Sequence, residues 1–278
     1  MDGARELVPA GYGWRTVIDL HAHVLPAVDD GPRAVEGSLA LARAAVAAGT
    51  TELAATPHVT WELPTTSSAV RAGVRALQGE LDAAGIPLRL HPGAELAVSK
   101  AVDLDDAELA ALRLGGGEWL LVECPLRASA AGFERAALHL QTRGHRVVLA
   151  HPERSPVLQR DPAKLAALVA EGMLAQVTAG SLVGAFGGTV ERFALDLVEA
   201  GLVHLVASDA HDAVRRPPGL LEELRAADAE LPGLLDRAAW MTSEVPRAIL
   251  AGGPVPRPPG PPPKRRRRGL LRAVGRRR

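Results

Sequence analysis

The 278-residue chain contains a single cysteine, Cys124, and aromatic residues make up only 3% of it. A lone thiol excludes an internal disulfide and a cysteine-rich zinc site, so any metal must be held by imidazole and carboxylate. Cys124 also lacks the phosphate-cradling loop a cysteine phosphatase needs, and it reads as a small buried thiol. With so few aromatics, Ala, Val and Leu must fill the interior. No apolar stretch reaches the roughly 20 residues of a membrane-spanning helix. The segment MDGARELVPAGYGW has no apolar core of the signal-peptide kind. These absences point to a chain kept in a reducing cytoplasm, long enough for one barrel-sized domain.

Charge is present but segregated. Lys and Arg number 32, as do Asp and Glu, yet the stretch from Lys264 to Arg278 carries nine basic residues and no acidic one. The remainder holds 23 basic against 32 acidic residues, a net charge of −9. The tail follows PVPRPPGPPP, which can join neither helix nor sheet ladder and reads as an extended, semi-rigid spacer. The expected organisation is an N-terminal extension (1–15), a folded body (16–253), a Pro-rich linker (254–263) and a basic tail (264–278). Three readings of the tail stand open: a solvated disordered end, an electrostatic anchor for an anionic membrane face, or a run attracted to nucleic-acid phosphates without sequence selectivity. No specific nucleic-acid partner is expected.

Seven short apolar runs stand out: TVIDLHAH, ELAATPH, LRLHPGAE, WLLVECP, RVVLAHPER, LAQVTAGS and HLVASDAH. Helical spacing of apolar residues separates most of them, at 35–48, 68–84, 105–112, 133–143, 162–171 and 193–200, with closing helices at 220–231 and 234–250. Alternating strand and helix with polar residues at the strand ends is the one-dimensional form of a β/α barrel, whose site is assembled at the C-terminal ends of its strands. Seven strands are expected. No internal sequence repeat accompanies them.

The strand ends carry the chemistry. His21 and His23 are separated by one residue, so on an extended strand both imidazoles fall on one side. Asp29 and Asp30 follow in a turn, where Asp suits turn geometry or where Asp30 reaches a metal. Taken singly, His58 and Glu95 are compatible with ordinary polar loops. Glu123 is different, because it follows Trp119–Val122 directly and a carboxylate there is costly without a cation. His151 ends an equally apolar run, and Arg154 beyond it offers a planar fork for phosphate. Asp209 and His211 repeat the spacing of His21 and His23. So many nitrogen and oxygen ligands suit more than one divalent ion, and the set is compatible with manganese, iron or zinc without choosing among them.

Through IDLHAH, HAHVLPAVDDGPR, AATPH, PGAEL, LLVECP, AHPER, QVTAGSLVG and ASDAHDAVRRPP, the chain resembles the polymerase and histidinol phosphatase (PHP) superfamily. Within it the sequence is most similar to the metal-dependent protein tyrosine phosphatases of bacterial capsular and exopolysaccharide gene clusters. The resemblance runs from about residue 16 to 250. It implies an α/β fold, a distorted seven-stranded β/α barrel, with three divalent metal ions. By motif, it implies that His21, His23, Glu95 and Asp209 hold the first ion. Glu95 then bridges to a second ion held by Glu123 and His151, and Asp30, His58 and His211 hold the third. Arg154 and Arg216 match the phosphate-contacting arginines, with Arg215 adjacent to the second. The loop VTWELPTT after His58 departs from the family's commoner pattern.

The expected reaction is hydrolysis of protein phosphotyrosine by a metal-bound hydroxide. The resemblance implies as substrate the tyrosine-rich tail of a membrane-associated polysaccharide-biosynthesis kinase, which places the enzyme in the cytoplasm or at the inner membrane face. With one tyrosine, Tyr12, this chain is not itself such a tail. The rival readings are a small-molecule phosphatase of the histidinol-phosphate type and a noncatalytic adaptor for phosphorylated tails.

Overall fold

The structure, a computed structural model, describes residues 16–128 and 132–265. The N-terminal extension with Tyr12, and the basic tail beyond Arg265, lie outside the described residues. Nine strand segments are present: β1 (Ile18–Ala22), β2 (Glu52–Ala55), β3 (His58–Val59), β4 (Arg89–Pro92), β5 (Glu95–Ala97), β6 (Trp119–Glu123), β7 (Arg146–Ala150), β8 (Leu174–Thr178) and β9 (Leu205–Ala207). All pair in parallel, in one sheet of order β1-β2-β4 and another of order β3-β5-β6-β7-β8-β9. Parallel strands covered by helices on one side and packed inward on the other are shielded on both faces, and β1, β6 and β8 are buried along nearly their whole length.

Each of the seven apolar runs contains a strand, and two of the runs are interrupted. Thr56 and Pro57 separate β2 from β3, and Gly93 and Ala94 separate β4 from β5. Pro57 has no amide hydrogen for the ladder. Thr56 Oγ1 instead accepts a hydrogen bond from the Ala22 N–H at 3.1 Å. A Cβ at Gly93 would come within 2.8 Å of the Leu114 side chain, so the break is packed as tightly as a residue without a side chain permits.

β1 and β9 lie side by side where the two sheets meet. Ala22 and Ala210 form a parallel bridge, the His23 N–H donates to Ala210 O at 2.8 Å, and the Asp209 N–H donates to His21 O at 2.8 Å. Asp19, fully buried in β1, accepts the Ser208 N–H at 3.1 Å. Desolvation raises the Asp19 pKa, with Ser208 opposing the shift.

Helices fall close to their expected positions at Val35–Ala47, Ser67–Ala83, Asp106–Ala111, Phe133–Thr142 and Pro162–Ala170. Gly188–Glu199 begins earlier than its apolar pattern, and the segment expected as one helix from 234 to 250 is broken. It runs as a tight turn at Leu235–Arg237, a widened π-helical turn at Trp240–Glu244 and an α-helix at Val245–Ala251. Pro246 has no amide hydrogen to return to Thr242, and the wide turn precedes it. Among the described residues, no helix is long and apolar enough to cross a membrane.

Residues 254–265 contain neither helix nor strand and lie against the body. The Trp240 indole N–H donates to Pro256 O at 2.9 Å, Arg237 donates to Gly260 O, and Lys264 Nζ donates to Glu199 O at 2.9 Å. Arg265 pairs with Glu199 at 2.6 Å and also with Asp196. A cavity of about 330 Å³ remains between this strap and Leu174, His204 and Trp240.

Candidate metal centre

Strand register brings the ligand-type side chains together. His58 and Glu95 are direct partners across β3 and β5, while Glu123 is paired with Ala150, the residue before His151. His21 and His23 leave β1 beside Asp209 and His211, which follow β9. Among the described non-glycine residues, only Ala27, His151 and Asp209 have positive φ, the last two at 35° and 53°. Two strand ends thus turn sharply at candidate ligands, where local strain is most often retained for function.

Three groups of atoms result. His21 Nε2, His23 Nε2 and Glu95 Oε2 form a triangle with edges of 3.4, 3.3 and 3.4 Å. Asp209 Oδ1 lies 3.5 Å from both imidazole nitrogens. Four ligands bound tetrahedrally at zinc-like distances of about 2.1 Å stand about 3.4 Å apart, so this spacing could accommodate an ion. On the other side of the same carboxylate, Glu95 Oε1 lies 2.7 Å from His151 Nε2, with Glu123 in reach. The third group gathers on Asp30 Oδ1, 3.2 Å from His211 Nε2 and 3.5 Å from His58 Nε2. His23 also lies within that group.

The donor set fits divalent cations. Glu95 Oε2 and His58 Nδ1 are 3.0 Å apart but misaligned, and both, like His211 Nε2, are buried without a hydrogen-bond partner. Buried polar atoms are nearly always satisfied, and a cation is the ligand that carboxylate and imidazole lone pairs have in common. The electrostatics agree. Burial raises the Glu123 carboxyl pKa, and the Glu95 charge adds to this. Burial acts the same way on Glu95, but the His21 charge and the His151 hydrogen bond overcome it and hold Glu95 well below the usual range. For His23 burial favours the neutral ring, yet the Asp209, Asp29 and Glu95 carboxylates around it raise it well above its ordinary value.

A second layer orients these donors. Gln176 in β8 accepts from His21 Nδ1 at 2.9 Å, leaving Nε2 free to face the centre. Asp29 accepts from His23 Nδ1 at 2.7 Å and from the His58 and Gly31 N–H groups at 3.0 Å each. The Asp29 side chain is 1% exposed and the Asp30 side chain 60%. The turn thus sends one carboxylate inward as a support and the other outward to His58 and His211. A Cβ at Gly31 would collide with His23 O, so the turn requires glycine there. Glu153, fully buried and pushed up by burial, accepts from the Thr178 N–H at 3.0 Å and from Ser181 Oγ at 2.7 Å. It ties the HPER segment to the end of β8.

The arginines complete the centre. Arg154 Nη1 and Arg216 Nη2 each lie 2.6 Å from Asp209 Oδ2, the oxygen turned away from the imidazoles. Their guanidinium carbons stand 4.5 and 6.0 Å from the Phe186 ring centroid. Arg215 is exposed and reaches Asp212 only through its backbone N–H. Gln176 and Phe186 did not figure among the sequence candidates, and Asp29 figured only as a turn residue. A glutamine inside an apolar strand was the available signal for Gln176. Phe186 had none, because its role depends on two arginines from distant loops.

Comparison with known proteins joins this geometry to a family. Residues 17–231 match the family described as Capsular polysaccharide synthesis, CpsB/CapC. The chain belongs to that family. It is 36% identical over 252 residues to Tyrosine-protein phosphatase YwqE of Bacillus subtilis (strain 168), covering 90% of this chain and 98% of that one. A Staphylococcus aureus relative, Putative tyrosine-protein phosphatase CapC, is 28% identical over 204 residues, 72% of this chain and 79% of its own. Among solved structures, one from a study of YwqE from Bacillus subtilis and CpsB from Streptococcus pneumoniae, described as unique metal-dependent tyrosine phosphatases, superposes with a TM-score of 0.78 at 35% identity. The match covers 89% of this chain and 100% of that one. The CpsB/CapC assignment agrees with the PHP resemblance read from the motifs.

Proposed function

We propose that this chain is a metal-dependent protein-tyrosine phosphatase acting in capsular or exopolysaccharide synthesis. The observation that carries the reading is the convergence of Arg154 and Arg216 on Asp209 Oδ2 while Asp209 Oδ1 faces His21 and His23. Two planar cations at the rim of a cluster of imidazoles and carboxylates suit a phosphate dianion. In this reading His21, His23, Glu95 and Asp209 would hold one ion, and Glu95, Glu123 and His151 a second. Asp30, His58 and His211 would hold a third, with manganese the first expectation. Divalent ions at such a site acidify water and neutralise charge on the phosphoryl group. Arg154 and Arg216 bind its equatorial oxygens and fix it for in-line attack. The phenol of tyrosine has a pKa near 10, so its phenolate leaves with little acid assistance.

The two parallel sheets are read as one distorted seven-stranded barrel, with β2–β3 and β4–β5 each counted as a single broken strand. The physiological substrate in this reading is the phosphotyrosine tail of a membrane-associated polysaccharide-biosynthesis kinase, met in the cytoplasm or at the inner membrane face. The test pairs metal analysis with phosphate release from a phosphotyrosine peptide and from histidinol phosphate. Manganese-dependent turnover of the peptide, lost in His21→Ala and Asp209→Ala, is expected. Preference for histidinol phosphate would favour the small-molecule reading, and peptide binding without turnover an adaptor. Undiminished activity in both variants would refute the site.

A further inference from the structure

The strap at residues 254–265 roofs a cavity of about 330 Å³, within the size range of small-molecule sites. The cavity lies at the pole opposite the metal centre. Leu174 opens β8 and His204 immediately precedes β9, whereas the candidate metal ligands gather at the other ends of the strands. A barrel carries its chemistry at the C-terminal pole and its stability at the N-terminal one. A side chain at this end that does not serve packing therefore requires another explanation.

Arg237 is such a side chain. It lines the cavity and is only 6% exposed. The arginine ion pairs among the described residues belong to Arg143, Arg146, Arg154, Arg216 and Arg265, and neither Asp236 beside it nor any other carboxylate pairs with Arg237. Its guanidinium donates to Gly260 O in the strap, which uses one of five N–H donors. Burial lowers its pKa, and no neighbouring charge opposes the shift. A buried cation is costly without an anion, and a single carbonyl does not neutralise it. No carboxylate lines the cavity, whose charged residues are Arg237 and, exposed at its edge, Arg257.

The remaining walls define what kind of anion fits. His204 Nδ1 accepts the Ala175 N–H at 3.2 Å, so its Nε2 carries the proton and is a neutral donor. The Trp240 ring lies 6.3 Å from the His204 ring, centroid to centroid, and its own N–H is held by Pro256 O. Trp240 also opens the π-helical turn, a widening found most often at functional sites. Leu174, Val255, Pro258 and Pro262 make the rest of the lining apolar. One guanidinium, one neutral donor and an apolar wall suit a monoanion carried on a compact apolar body. A carboxylate meets the guanidinium fork with two parallel hydrogen bonds.

We propose that the cavity beneath the strap is a second binding site, which takes a small organic carboxylate with an aromatic body, its carboxylate on Arg237 and its ring against Trp240. Such a ligand touches both the folded body and the strap, so its binding holds residues 254–263 in place. The site binds and does not transform its ligand. It is independent of the phosphatase reading above, because none of its residues reaches the metal centre.

Benzoate is the probe, with benzyl alcohol as its uncharged counterpart and inorganic phosphate as an anion without the apolar body. Each is titrated calorimetrically, at millimolar concentration, into the full metal-loaded chain and into the variants Arg237→Gln and Val255→Phe. The second variant fills the cavity from the strap and leaves Arg237 in place. Benzoate is expected to bind the wild type and to slow amide hydrogen exchange at Val255, Arg257 and Gly260. Arg237→Gln is expected to weaken its binding at least about tenfold, the scale of a hydrogen bond to a charged group, and Val255→Phe to block it. Unfolding midpoints of both variants verify that they are folded, and if Arg237→Gln is not, Val255→Phe decides. Benzoate binding that persists unchanged in the folded variants belongs to the metal centre and would overturn the site. Failure of benzoate to bind, or equal binding of benzyl alcohol or phosphate, would overturn it as well.

Discussion

Gln176 Oε1 lies 2.9 Å from His21 Nδ1 and fixes which imidazole nitrogen faces the centre. The amide oxygen can only accept, so Nδ1 carries the proton and Nε2 keeps its lone pair. Gln176→Ala is therefore expected to weaken metal affinity by about 10- to 100-fold, the usual scale for such a supporting bond. Metal titration followed by calorimetry measures it. Unchanged affinity would assign Gln176 to packing alone.

Phe186 supports the two arginines rather than any ligand. Phe186→Ala removes the ring beneath Arg154, an interaction of about 1 kcal/mol, and about a fivefold rise in KM for a phosphotyrosine peptide is expected. Metal content stays at its wild-type value in this variant. A loss of metal would show that the ring stabilises the centre instead.

The thiol provides a negative control. Cys124 is fully buried, and burial together with the Glu153, Glu123 and Glu95 charges pushes its pKa well up. The thiolate is the reactive form, so iodoacetamide at neutral pH is expected to leave activity and mass unchanged. Rapid inactivation by the reagent would contradict this geometry.

Much of the centre was legible in the sequence because its donors end apolar runs. Glu123 after Trp119–Val122 and His151 after Val147–Ala150 have no bland explanation once those strands are buried on both sides. For the adjacent pair Asp29 and Asp30, the family motif singled out Asp30, but the residues alone gave no role to Asp29 beyond the turn. Both suit a turn, and only the closed turn shows Asp29 pointing inward to His23 while Asp30 faces His58. The breaks at Pro57 and at Gly93–Ala94 were hidden for a related reason. They divide strands whose apolar pattern continues, and a Thr56 side chain and a close approach of Leu114 compensate for the lost pairing. The wide turn before Pro246 was likewise masked by a helical apolar pattern on both sides of it.

Acid stability should depend on His204. Burial pushes this imidazole down to about 4, and its Nδ1 already accepts the Ala175 N–H at 3.2 Å. Between the unfolded value near 6.5 and the folded one, the unfolded chain binds a proton that the folded chain refuses, so stability falls as pH falls. The loss from pH 7 to pH 5 is about 2 kcal/mol. Urea unfolding of wild type and His204→Gln at the two pH values checks it, with a shallower dependence expected for the variant.

The strap should contribute to stability as well. Ending the chain at Gly253 removes the Pro256 and Gly260 carbonyl acceptors of Trp240 and Arg237 and uncovers the cavity beside them. A loss of about 1–3 kcal/mol is expected from the two hydrogen bonds and the packing removed with the strap, with turnover of free phosphotyrosine retained. Thermal unfolding of the truncated chain is the measurement, and an unchanged midpoint would mean that the segment only rests on the surface.

The seam between β1 and β9 sets the order in which this catalyst can come into being. Asp19 and Ser208 meet across 189 positions of sequence, and His21, His23, Asp209 and His211 stand on the two sides of that junction. A nascent chain lacking its last strand holds only part of the ligand set and neither Asp209 nor the Arg216 that pairs with it. The proposed site thus cannot be complete until the end of the domain has left the ribosome, and an ion held there would tie the first strand to the last.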